Sequence, residues 1–185
     1  MKNPSSPDHH KNHPAAITLL HKFLSNLPYL AMLALGFAIF LACFNTTPWR
    51  WLWAFLYVFY GFAGSLWIML FLCPYCNFYD TRLCPCGYGR LAPKLRTRKD
   101  SLLFARQFRR HICAIVPLWF IPPVVGVVSL FKSFSLPLLV LLLVFAVNSF
   151  VILPLFSRKY GCAHCPQKQS CPWMSTHTND PPPSR

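Results

Sequence analysis

Glutamate is missing from this 185-residue sequence, and aspartate occurs only as Asp8, Asp80, Asp100 and Asp180. None of the four lies inside a long apolar run. Proton-coupled carriers and cation channels place carboxylates within the membrane, so transport of that type is disfavoured. Hydrolysis by paired carboxylates is disfavoured on the same count. A membrane haem needs facing histidines deep in the bundle, yet only His21 and His111 lie near the ends of apolar runs. The opening MKNPSSPDHHKNHP lacks the short apolar core and small-residue cleavage site of a removable signal peptide. Residues 1–22 therefore read as a polar, disordered cytoplasmic tail before an uncleaved first helix.

What is abundant is apolar surface. Hydrophobic letters make up 55% of the chain, and the mean hydropathy of +0.39 exceeds what a soluble domain shows. Four runs, 27–44, 51–72, 112–131 and 136–156, are long enough to cross a hydrocarbon core, which takes about 20 helical residues. The second and fourth hold no charged residue. The third contains Pro117, Pro122 and Pro123, so it reads as a kinked spanning helix, with a break at Pro122-Pro123 as the alternative. The expected fold is an all-α membrane protein. Its four transmembrane helices form two hairpins, 23–72 and 112–156, with a cytoplasmic Cys-rich juxtamembrane cap built from 73–111 and from the tail 157–185, whose end is disordered.

Orientation follows from the basic residues. Of the 18 Lys and Arg, only Arg50 and Lys132 fall in the two short connections, at 45–50 and 132–135. The positive-inside rule then places both termini and the 73–111 segment in the cytoplasm, at the inner membrane if the cell is prokaryotic. The same asymmetry accounts for the net charge of +14 without a nucleic-acid partner. Residues 90–110 combine Lys and Arg with Leu and Phe. Asp100 or Ser101 would cap a short helix there, whose basic face suits anionic lipid headgroups.

Seven of the nine cysteines lie in this cytoplasmic portion. Cys73, Cys76, Cys84 and Cys86 read C-x2-C-x7-C-x-C, and Cys162, Cys165 and Cys171 read C-x2-C-x5-C. Thiolates three positions apart turn toward one ion around a tight loop, as in zinc knuckles and iron-sulfur loops. The cytoplasm is reducing, which weighs against structural disulfides. Four of the seven precede proline, a feature shared with ferredoxin loops that favours iron-sulfur, while the first group alone supplies the four thiolates zinc needs. The expected cofactor is thus an iron-sulfur cluster or zinc, held by these seven cysteines with His164, or alternatively His177, completing the second group. Cys43 and Cys113 read as small buried apolar residues.

Cys73-Pro74-Tyr75-Cys76 matches the glutaredoxin active-site tetrapeptide. That chemistry needs a compact strand-helix framework to lower the thiol pKa, and here the tetrapeptide follows a spanning run instead. Each half of the chain runs hairpin, C-x2-C, Cys-Pro, so a parallel repeat would bring 162–172 against 73–86. The leading reading is a metal-site membrane subunit, structural or electron-transferring, embedded in the bilayer and open to association with other membrane subunits. The alternatives are a thiol-redox or metal-handling membrane protein and a structural or assembly protein with incidental cysteines. No catalytic residue set emerges, and whether the protein is an enzyme is left open by the residues.

Overall fold

In the computed structural model, residues 19–162 are described, together with Cys165, Gln167 and Cys171; the tail 1–18, His164, His177 and the remainder of the C-terminal segment lie outside the described residues. Helices α1 (Leu19–Cys43) and α2 (Arg50–Phe71) come first. They are followed by the one-turn α3 (Ala92–Leu95), α4 (Phe104–His111), α5 (Pro117–Lys132), α6 (Leu136–Val147) and α7 (Leu153–Phe156). No strand occurs among the described residues. A 3-10 turn at Ile112–Ala114 joins α4 to α5, and wide π-type turns at Asn148–Ile152 and Ser157–Cys162 carry the α6–α7 segment onward. Four helical segments are consequently long and apolar enough to cross a membrane: Lys22–Cys43, Arg50–Tyr75, Ser101–Lys132 and Leu136–Cys162.

The 22 residues of α2 rise about 33 Å, close to a hydrocarbon core of about 30 Å. The exposure pattern fits that medium. Phe131 is 89% exposed and Phe59 70%, a placement that water would penalise and lipid does not. Inside, Met32 and Ile39 of α1 meet Leu118 of α5 and Phe145 of α6, all buried. Gly36 gives room to the Tyr57 ring, since a Cβ there would collide with it.

Four polar side chains inside the bundle donate to backbone carbonyls of neighbouring segments. Tyr57 donates to Leu118 O at 3.2 Å, Tyr60 to Ala114 O, Tyr29 to Gly61 O at 2.7 Å and Asn148 Nδ2 to Pro28 O at 3.0 Å. Asn148 is thus interhelical glue, the role its position suggests. The paired prolines do not interrupt the third segment: α5 runs helically through Pro122 and Pro123, with Pro122 buried. The widened backbone appears instead in the fourth segment, just before Pro154. A proline cannot donate to the carbonyl four residues back and its ring crowds that carbonyl, so the turn opens to i→i+5, as the Leu153 N–H bond to Asn148 O shows.

The cysteines in the spans behave differently from expectation in one case. Cys43 is half-buried, but Cys113 is exposed on the outer face of the bundle. It lies in the 3-10 turn where α4 passes into α5.

Candidate metal centre

Every segment bearing the seven clustered cysteines sits at one end of the bundle. The chain leaves α2 through a 3-10 turn, Cys73–Tyr75, in which Cys76 N–H donates to Cys73 O at 3.1 Å. The second C-x2-C, reached from the last π-type turn, repeats that bond: Cys165 N–H donates to Cys162 O at 3.1 Å. In both, the second thiol also accepts a backbone N–H from the residue two positions on, Phe78 for Cys76 and Gln167 for Cys165. A third turn follows at Cys84, whose carbonyl accepts from Gly87 N–H at 3.1 Å. Gly87 adopts φ +82°, a conformation that suits glycine.

The loop between Cys76 and Arg90 is pinned by its own backbone. Asp80 N–H bonds Gly89 O at 2.9 Å. A Cβ on Gly89 would collide with Phe78 O and stand 2.9 Å from Cys84 Cβ, so this close crossing requires glycine. The basic stretch wraps the same turn. Lys99 N–H bonds Pro74 O at 2.9 Å, Tyr79 Oη donates to Arg96 O at 2.7 Å, and the Arg96 guanidinium lies 5.2 Å from the Phe71 ring centre. Asp100 caps the turn before α4, accepting from Leu102 N–H at 2.9 Å. His111, the one near-span histidine with a described side chain, stacks on Phe71 at 4.9 Å.

Gln167 ties the two cysteine segments together. Its Oε1 accepts from Asn77 N–H at 3.2 Å, and its Nε2 donates to Tyr75 O at 3.1 Å and Ser101 O at 3.3 Å. Gly161 approaches Pro85, with 3.9 Å between its added Cβ and Pro85 Cγ. The seven thiols accordingly lie within reach of one another's charge. Cys73 is near Cys76, Cys84 and Cys86; Cys76 is near Cys165 and Cys171; Cys86 is near Cys162. Gln167 escaped the sequence reading, because an amide in a cysteine-rich tail carries no spacing signal of its own.

Burial pushes Cys76 up to about 11 and Cys86 up to about 12, with neighbouring thiols adding to the rise. Cys86 retains accessible surface and borders a cavity. A disulfide-exchange nucleophile needs the reverse, a depressed pKa. This environment works against the exchange-competent alternative. Among the described residues, no three Cys, His, Asp or Glu side chains form a ready set of ligands for one ion. The donor chemistry still suits a thiophilic metal. Each cysteine sulfur swings about a single χ1 between staggered positions, so regrouping of neighbouring thiols leaves the backbone turns in place.

No family model matches this chain, and no curated protein and no solved structure is significantly similar to it.

Proposed function

We propose that this chain is a multi-pass membrane protein, two helical hairpins with both termini cytoplasmic, whose Cys-rich end binds a metal through thiolates. The observation that carries the reading is the convergence of two C-x2-C turns of the same form, brought together by Gln167 from segments some ninety positions apart. Cysteines gathered without disulfides in a reducing compartment, most of them half-buried, are explained by a ligand that takes thiolates. Cys73, Cys76, Cys84 and Cys86 would hold one centre, and Cys162, Cys165, Cys171 and His164 would complete a second or share the first. Backbone N–H groups donating to the Cys76 and Cys165 sulfurs stabilise the thiolate form and tune a bound centre. An iron-sulfur cluster would supply one-electron transfer at the membrane surface, whereas zinc would lock the loops without redox chemistry. The basic residues of 90–110 support contact with anionic headgroups on the same face, and the apolar exterior leaves room for other membrane subunits.

Purification without oxygen, followed by iron, zinc and acid-labile sulfide analysis, tests this reading. Stoichiometric metal that falls in Cys76→Ser and Cys165→Ser, but not in Cys113→Ser, is the expected result. Protein that is folded, fully reduced and free of metal overturns it.

A further inference from the structure

Beside the cysteine segments, the helix ends enclose a half-open cavity of about 220 Å³. That is below the roughly 300–1,000 Å³ of pockets for drug-sized ligands, room for a single substituted ring. No charged side chain lines it, so an ionic ligand is disfavoured by desolvation. Leu118 and Trp119 supply apolar and aromatic surface on one side; Cys86 and Tyr88 close the side facing the thiols. Three of the polar side chains form a connected set. Tyr29 Oη donates to Gly61 O at 2.7 Å, Ser65 Oγ donates to Tyr29 Oη at 3.2 Å, and Tyr88 shares the Ser65 hydroxyl. Because Tyr29 and Ser65 have one hydrogen each and both are used, Tyr88 is the member of this trio with a choice; Ser25, Asn26 and Ser157 line the cavity as well. Tyr88 accepts a ligand hydroxyl while donating to Ser65, or turns its own hydrogen onto a ligand carbonyl.

We infer that this cavity is a binding site for the ring of a lipid-soluble quinone or quinol, hydrogen-bonded by Tyr88. The ligand that fits is neutral, flat, apolar at its edge and bears ring oxygens that are carbonyls in one form and hydroxyls in the other. Residues of all four membrane-length segments wall the half-open cavity, a setting that suits a molecule dissolved in the bilayer. Preference for a redox-active ring over an inert one rests on the metal reading above, since Cys86 belongs to both the cavity wall and the thiol group.

Full-length protein in lipid nanodiscs is titrated with decylubiquinone and decylubiquinol, following quenching of tryptophan fluorescence, to which Trp119 of the cavity contributes. Metal and sulfide are measured on the same samples. Saturable binding is expected, about tenfold weaker in Tyr88→Phe through loss of one buried hydrogen bond and abolished in Ser65→Phe, which fills the cavity, with metal content unchanged in both. Saturable binding of equal strength in wild type and both variants overturns the assignment. So does equal displacement by decanol, which places an acyl chain in the cavity. Metal-loaded protein showing only unsaturable partitioning removes the quinone site and leaves the metal reading standing. Saturable, variant-sensitive binding to metal-free protein does the opposite.

Discussion

Gly89 and Gly161 make a contrast at the scale of single residues. A methyl on Gly89 meets Phe78 O and Cys84 Cβ, while one on Gly161 meets Pro85 at an ordinary 3.9 Å. Gly89→Ala is therefore expected to cost about 1–3 kcal/mol by overpacking and to lower metal content by displacing Cys84. Gly161→Ala should leave both unchanged; thermal unfolding and metal analysis of the pair check this. Gln167 forms three bonds to backbone groups, two on the first cysteine segment and one at Ser101. Gln167→Ala is expected to loosen the C-terminal cysteines by about 1–3 kcal/mol, since it leaves half-buried partners unsatisfied, and to raise alkylation of Cys171 selectively. Protonation argues in the same place. Burial holds the protons on Cys76 and Cys86 up to about 11 and 12, and a metal must displace them, so its retention strengthens as pH rises and weakens as pH falls. Competition with a chromophoric chelator between about pH 5 and 8 should show metal lost progressively toward the acid end.

At the scale of elements, the fourth membrane-length segment departs most from ideal helix. The widened turn at Asn148–Ile152 places Asn148 against Pro28 O on α1, beside the buried Ser149, whose hydroxyl has no hydrogen-bond partner. Asn148→Leu removes this side-chain bond between α1 and the fourth segment. Interhelical bonds of this kind average about 0.6 kcal/mol and reach about 1.7 kcal/mol, so a modest loss of stability toward denaturing detergent is expected, with metal content retained. The basic stretch also has a structural duty that its charge did not reveal. Arg96 and Lys99 hold the turn after α2 through backbone bonds and ring contacts, whereas in α4 Phe104 and Phe108 pair at 6.0 Å with no buried residue on that helix.

For the whole molecule, side-chain bonds gather the α1 start, the loop after α2, the start of the Ser101–Lys132 segment and the C-terminal cysteine segment at one pole. Asn26 Nδ2 reaching Cys86 O at 3.3 Å and Gln167 reaching Ser101 O at 3.3 Å mark that pole. Sixteen of the 18 Lys and Arg lie outside the short connections at 45–50 and 132–135, and the proposed topology assigns them to the cytoplasm. Reporter fusions at residues 15, 90 and 175 are expected to stay cytoplasmic and one at 47 to be exported. An exported fusion at 90 would overturn the topology and remove the reducing-compartment argument with it.

The four spans were readable from residues alone because hydropathy is a sum along the chain, and about 20 apolar residues in a row have few other uses. The spacing of the cysteines, the scarcity of carboxylates and the likelihood of Asn148 bonding across helices were legible for the same reason: each is local. Three things were decided only by the folded chain. The prolines at 122 and 123 are accommodated while the backbone widens near Pro154, because neighbouring helices determine which carbonyls find other donors. The Gln167 clamp and the Gly89 crossing depend on turns that bring residues 78 and 89, or 77 and 167, to the same point. The cavity beside Cys86 is lined by residues from all four membrane-length segments, and no pattern along one stretch of sequence encodes the space between four.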